Sequence, residues 1–147
     1  CAVKIGEGEA ALANDLRREF PAAEIESNPK QRSEWAKAIA RHLRGDAPSL
    51  DLPIDVRATA FQWKGWRGLQ RIPYGETRAY AEVAKSIGKP KAVRAVARAC
   101  ATNPVALVVP CHRVVPSSGG IGGYRWGSDC KERLLSTEQR RAKSRTS

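Results

Sequence analysis

The apolar run Val105-Ala106-Leu107-Val108-Val109-Pro110 constrains this chain more than any other segment, because it has no polar face to turn toward water. Its length and its valines predict a buried strand over residues 105–109, ended by Pro110. Directly after it, Cys111-His112-Arg113-Val114-Val115 sets a thiol and an imidazole at the mouth of the buried element. A soft nucleophile beside a potential base is how cysteine chemistry is usually staged.

A chain of 147 residues makes one unit or two small lobes, and 41% apolar content is enough for a core without covalent staples. The four cysteines, Cys1, Cys100, Cys111 and Cys130, show no C-x-x-C pair and no regular spacing. That pattern argues against a metal site or a disulfide framework and for reduced thiols in a cytosol. No apolar stretch approaches the roughly 18 residues that cross a bilayer, and no charged-then-apolar leader precedes one. A soluble, cytoplasmic protein with no membrane partner is expected. The start at Cys1 and the lack of methionine suggest a trimmed boundary with further domains upstream.

Charge divides the chain. Residues 1–56 hold eight Lys/Arg against ten Asp/Glu, whereas residues 57–147 hold eighteen against five. A second part of net +13 is suited to a polyanion and predicts salt-sensitive affinity for nucleic acid.

Periodicity organises the rest. Residues 2–6 suggest the end of a strand, Leu12, Leu16 and Phe20 an apolar helical stripe closed by Pro21, and Ser33 to Leu43 a helix with Trp35, Ile39 and Leu43 inward and Gly45 as its stop. His42 reads as a surface residue of that helix. The segment Asp46–Pro53 is a linker between an α/β lobe and a mostly helical one. In the second lobe, Thr59–Ile72 carries Phe61, Trp66, Leu69 and Ile72, and Thr77 is a plausible N-cap for a helix over 78–87. Gly88-Lys89-Pro90 then turns into a helix from Lys91 to about Ala101, a helix-turn-helix pattern. Small residues such as Ala92 and Ala95 alternate there with Lys91, Arg94 and Arg98, so the backbone can approach a groove while cations flank it. Ser117–Gly123 reads as a mobile lip without a nucleotide-binding fingerprint. A last helix over about 129–141 carries Leu134, Leu135 and Glu138, before a basic tail, residues 140–147, expected to be disordered.

Among the cysteines, Cys100 and Cys130 are most simply buried apolar groups. Cys111 differs, since His112 offers a base and Arg113 a positive field for a thiolate. Neighbouring side chains seldom face each other, so a bridging water is the expected route for the proton. Glu138 is the acidic candidate to orient His112.

Taken together, several blocks resemble the O6-alkylguanine-DNA alkyltransferases, especially the Ada-like branch: Pro110–Val115 as P-C-H-R-V-V, Asn103-Pro104, the run Gly88–Val96, Gly75-Glu76-Thr77 with Tyr80, and Gly123-Tyr124-Arg125-Trp126-Gly127. Their spacings agree with the family pattern without gaps, and the resemblance covers nearly the whole chain, weaker before residue 50. The resemblance implies an α/β, ribonuclease H-like N-terminal lobe with a small sheet and helices over residues 1–52. A mostly helical winged helix-turn-helix lobe over 53–147 would bind DNA and accept the alkyl group.

It further implies a suicide methyltransferase for DNA repair. Cys111 would take the alkyl group from O6-alkylguanine, and from O4-methylthymine, in one irreversible turnover without a cofactor or metal. His112 would be the water-mediated base, Glu138 its orienting acid, Asn103 the brace of the Cys111 turn, and Tyr80 a donor to guanine N3. Arg94 would fill the stack after base flipping, with Lys91 and Ala95 at the DNA. The carbonyls of Cys111 and Val114 would read the exocyclic amine, the Arg125 amide would meet O6, and Tyr124 would wall the pocket. The partner would be double-stranded DNA held through the minor groove by a monomer. This role requires a Cys111 sulfur that an everted base can reach. A non-catalytic sensor of alkylated DNA or a transcription-regulatory domain is the rival, and Cys111 weighs against the sensor, which lacks an acceptor cysteine. A Cys-His hydrolase is a third possibility, but it needs an oxyanion hole that the sequence does not locate.

Gly65 stands in F-Q-W-K-G-W-R-G-L where relatives carry Val, a local cost of about 1 kcal/mol against Ala. Arg125-Trp126 makes a bulky pocket wall, so methyl lesions are expected to react far faster than benzyl lesions in single-turnover assays. Comparable rates would contradict that wall.

Overall fold

A computed structural model of the chain describes residues 2–26 and 29–147; Cys1 lies outside them. Among the described residues the chain is mostly helical, with α1 (Glu9–Glu19), α2 (Pro29–Arg44), α3 (Ala60–Gln70), α4 (Tyr80–Ser86), α5 (Val93–Ala101) and α6 (Ser128–Thr146). Two short strands, β1 (Arg78–Ala79) and β2 (Val114–Val115), pair in parallel, with Arg78 opposite Val114 and Ala79 opposite Val115. No helix of the described residues is long and apolar enough to cross a membrane.

The second half carries the core. Thr59 starts α3 with a reciprocal cap: its Oγ accepts from the Gln62 amide at 3.1 Å, and the Gln62 side chain accepts from the Thr59 amide at 2.8 Å. Trp66, Leu69, Val83, Ala84, Ile87, Val96 and Ala99 then interdigitate among α3, α4 and α5, and the Trp66 indole donates to the Ala99 carbonyl at 3.0 Å. Residues 87–92 turn between α4 and α5, so the helix-turn-helix expectation holds. Its second helix begins at Val93 rather than at Lys91, because Ala92 N closes a turn onto Lys89 O at 2.8 Å.

Several expectations are corrected. Before residue 52 there is no sheet among the described residues: the strand expected over 2–6 contributes one bridge, Val3 to Val105. Trp35 and Leu43 are exposed, and Ile39 alone of that stripe is partly covered. Thr77 does not cap α4, because Arg78-Ala79 is extended along β2; Ala79 is the N-cap, its amide donating to the Glu82 carboxylate at 2.7 Å. The basic tail expected to be disordered continues α6 to Thr146, and Arg145 donates to the Gly45 carbonyl where α2 ends.

The largest departure is the apolar run. Residues 105–109 are at most 4% exposed, as their composition demands, yet they form consecutive turns instead of a strand. The Asn103 side chain is the reason. Its Oδ1 accepts from Val105 N at 2.9 Å and its Nδ2 donates to Val109 O at 3.0 Å, so one amide does the work of a neighbouring strand and the run coils about it. Leu107 takes a left-handed φ of 69° within this coil.

Packing refines the cost assigned to Gly65. A Cβ there meets the Ala99 Cβ at an ordinary 3.7 Å, whereas a Cβ on Gly68 comes within 2.7 Å of the stiff Ile87 Cγ2. Gly65→Ala is therefore expected to stabilise the fold by about 1 kcal/mol, and Gly68→Ala to destabilise it by about 2 kcal/mol. Urea unfolding of the two variants checks both, and equal shifts would contradict this account of how α3 packs on α4 and α5.

Candidate active site

Cys111, His112 and Arg113 form one 3-10 turn between the coiled run and β2, so all three side chains start inside the protein. Pairing of Val114-Val115 with Arg78-Ala79 fixes the exit of this turn beside the start of α4, which carries Tyr80. The Cys111 sulfur accepts a hydrogen bond from Asn103 Nδ2 at 3.2 Å. Asn103 thus holds both the backbone and the nucleophile.

Behind the turn stands Glu138 of α6, only 4% exposed. Its Oε1 accepts from His112 Nε2 at 2.7 Å and Arg113 Nη2 at 3.0 Å, and its Oε2 accepts from Arg113 Nε at 2.8 Å and Gly75 N at 3.1 Å. Gly75, at φ 83°, lets the backbone reach the carboxylate; a Cβ there would lie 2.6 Å from Ala142. Burial pushes the Glu138 carboxyl up, but the hydrogen bonds from His112 and Arg113, with the Arg113 charge, outweigh it and hold it at about 2. Glu138 is therefore an anion at neutral pH, and the His112 nitrogen facing it carries the proton. Burial lowers the imidazole of His112 despite the pull of Glu138, which keeps the ring neutral. Its Nδ1, buried and without a hydrogen-bond partner among the described residues, is a bare acceptor.

Burial also pushes the Cys111 thiol up, with the Asn103 hydrogen bond and the charges of Lys131 and Arg125 acting against it. At rest the sulfur is protonated and needs a base. The positive field comes from Lys131 and Arg125, not from Arg113 as expected; Arg113 spends its guanidinium on Glu138 and on the Ile72 carbonyl at 2.8 Å. Lys131 was not singled out from sequence. It is fully buried and donates to Val114 O at 2.6 Å and Gly123 O at 3.2 Å. It shares a face of α6 with Leu135 and Glu138, at spacings of four and three, so the helical register held the signal.

The other expected residues divide into two groups. Tyr80 is half-buried on α4 close to Cys100 and Cys111, and its phenol is raised by burial and by those thiols. Tyr124 sets its ring edge-on to His112 at 6.4 Å and to Trp126 at 5.3 Å, with its hydroxyl buried and without a hydrogen-bond partner among the described residues. The Val114 carbonyl, expected to read a base, already holds Lys131. Arg125 donates to Asn103 O at 2.9 Å and pairs with Glu19 of α1 at 3.2 Å. Lys91, Arg94 and Ala95 are not part of this cluster. They lie exposed with Arg98, opposite the Val96, Ala99 and Cys100 face that shares the core with Cys111.

Access is where the expectation of a reachable sulfur meets correction. Cys111 is 3% exposed. A cavity of about 900 Å³ between residues 3–7, α2 and α6 has Glu138 in its wall but not Cys111. The sulfur sits in the buried apolar cluster, close enough to Arg125 and Tyr124 to interact with them electrostatically.

Residues 60–140 match the sequence profile of the 6-O-methylguanine DNA methyltransferase, DNA binding domain. The chain belongs to this family. It is 44% identical over 138 residues to the bifunctional transcriptional activator/DNA repair enzyme Ada of Escherichia coli, which covers 94% of this chain and 39% of that protein. The chain thus spans well under half of that relative's length. A methylated-DNA–protein-cysteine methyltransferase of Methanosarcina barkeri is 46% identical over 128 residues, 87% of this chain and 80% of its own length. A crystal structure of Mycobacterium tuberculosis OGT in complex with DNA matches with a TM-score of 0.69 at 43% identity, covering 72% of this chain and 65% of that one.

Linkage gives the family cluster a pH signature. A carboxyl lowered from 4.5 to about 2 stabilises the fold above the ordinary carboxylate range, and that stability is lost as pH falls toward about 2. Glu138→Gln is expected to lose about 3 kcal/mol at neutral pH, where it breaks a buried ionic cluster. The gap to the parent chain should close in acid. Urea midpoints across pH check this, and a gap independent of pH would mean that the carboxylate is not ionised in the fold.

Proposed function

We propose that this chain repairs DNA by moving an alkyl group from O6 of guanine to the Cys111 sulfur, once per molecule. The observation that carries the proposal is the pairing of an Asn103-held thiol with a neutral His112 whose Nε2–H is fixed on Glu138 and whose Nδ1 is bare. The thiol proton passes through a water to Nδ1, and Glu138 stabilises the imidazolium that results. Sulfur then forms a bond to the alkyl carbon as the carbon–O6 bond breaks, its electron pair leaving on the base. Tyr80 donates toward N3 as that charge develops, the guanine anion takes up one proton as His112 gives up the one it received from the thiol, and the product is a thioether on Cys111 and an unmodified guanine. No cofactor or metal is used. O4-methylthymine presents the same alkyl–oxygen bond and is a second substrate.

A stacked base cannot reach the sulfur, so the lesion is flipped out of the duplex. The exposed face of α5, with Lys91, Arg94 and Arg98 around the small Ala95, supports docking in the minor groove with Arg94 filling the gap. Because Cys111 is nearly inaccessible, entry of the base requires the groups around the sulfur, Tyr124 and Arg125 among them, to shift. We read residues 1–52 as an N-terminal lobe of ribonuclease H-like descent and 53–147 as a winged helix-turn-helix lobe, which the irregular stretch between α2 and α3 supports. The monomer would work where a bacterium keeps its DNA, in the cytoplasm and on the nucleoid, alongside any domains upstream.

Incubation with methylated duplex DNA followed by intact-mass measurement tests the proposal. One methyl per chain, mapped to Cys111 and lost in Cys111→Ala with DNA binding kept, is the expected result. Binding without transfer would identify a sensor, many turnovers a hydrolase, and a label on Cys100 or Cys130 would refute the acceptor. Arg94→Ala should slow transfer from duplex more than transfer from the free base; equal losses would remove Arg94 from the flipping step.

A further inference from the structure

His42 was expected on the surface, yet it is 2% exposed. Its Nδ1 lies 2.8 Å from the Ala47 carbonyl, so that nitrogen carries the proton, and its Nε2 is buried without a hydrogen-bond partner among the described residues. The ring stands edge-on against Tyr74, with centroids 5.5 Å apart at 81°. Tyr74 in turn lies beneath the Arg113 guanidinium, 5.5 Å from its centroid. The turn that carries Tyr74 also supplies the Ile72 carbonyl that accepts from Arg113 and the Gly75 amide that donates to Glu138. A continuous line of contact therefore runs from α2 through His42, Tyr74 and Arg113 to Glu138 and His112.

Resting on the alkyl-transfer function proposed above, we infer that His42 is a positioning residue for the Cys111 site, setting through the Tyr74 ring the turn that holds Arg113 and Glu138. It touches no reacting atom. Its effect is on how squarely Glu138 meets His112, and small errors of placement behind a reacting group cost rate steeply.

Charge makes this placement sensitive to pH. The groups that face His42 are Glu138 on α6 and His112 and Arg113 on the 3-10 turn, with Tyr74 between; Arg141 and Arg145 of α6 act on Tyr74, and Arg41 and Arg44 flank His42 on α2. Burial, with Arg113 and His112 adding to it, lowers the His42 imidazole from 6.5 against the pulls of Ala47 and Glu138. Neutral His42 thus contributes stability above its unfolded range, and that contribution is lost as pH falls through the lowered value. Once protonated, it sets a second cation against Arg113 and loosens the stack.

Single-turnover transfer from methylated duplex DNA, measured across the acid range with the full chain, tests the inference through three variants. His42→Asn keeps a donor near Ala47 but has no ring, His42→Phe keeps the ring but cannot titrate, and Tyr74→Leu removes the middle contact at a half-exposed site that tolerates change. His42→Asn and Tyr74→Leu are expected to slow transfer about tenfold at neutral pH with DNA affinity unchanged. His42→Phe should recover the rate to within about threefold, and its acid limb should fall with the slope of one proton where the parent shows two. Parent rates and slopes in all three variants, with only melting temperatures altered, would overturn the inference and leave alkyl transfer standing. Should His42→Asn not fold, Tyr74→Leu decides alone. A parent chain that transfers nothing would sink the functional proposal and this one with it.

Discussion

A carboxylate buried at Glu138 is the constraint on which the site depends. Removing such a group from water costs several kcal/mol unless every lone pair is met by a donor. Here four donors meet it, two from Arg113 and one each from His112 and Gly75. Two separate parts of the chain are thereby pinned to α6: the reactive turn, and the turn after α3, held by its Gly75 amide and, through Arg113, by its Ile72 carbonyl. Disturbing either of them leaves a charge without compensation, which is why the geometry around Cys111 is held firmly although its secondary structure is slight.

That anchoring also settles the protonation states. An anionic Glu138 claims the Nε2 proton of His112 and leaves Nδ1 free to accept, while burial keeps both the imidazole neutral and the thiol protonated. The site is poised, with base and acid each in the form that a proton transfer consumes. A thiolate standing permanently in the core would attract metals and oxidants. A thiol that rests protonated and buried is protected from them.

Much of this was legible in the sequence because it rests on short-range chemistry. The helix-turn-helix follows from Gly88 and Pro90 between two periodic segments, and Glu138 is the acidic residue on the helix expected to pack behind the reactive turn. What misled was burial without periodicity. An apolar run says that Val105–Val109 is inside, but not that an Asn103 amide replaces a strand partner and coils the run instead. Long-range packing was likewise hidden: His42 reads as one more polar residue near a helix end until Tyr74 is set beside it. Arg113 looked like a field for the thiolate because it is adjacent in sequence, whereas a 3-10 turn aims it at Glu138 and leaves that role to Lys131.

The central claim is a claim about protons, and the chain has two histidines, so imidazole nitrogen-15 chemical shifts at neutral pH test it most directly. The account predicts two neutral rings in opposite tautomers, His112 protonated on Nε2 with a bare Nδ1 and His42 protonated on Nδ1 with a bare Nε2. A proton on His112 Nδ1, or an imidazolium there at neutral pH, would contradict it.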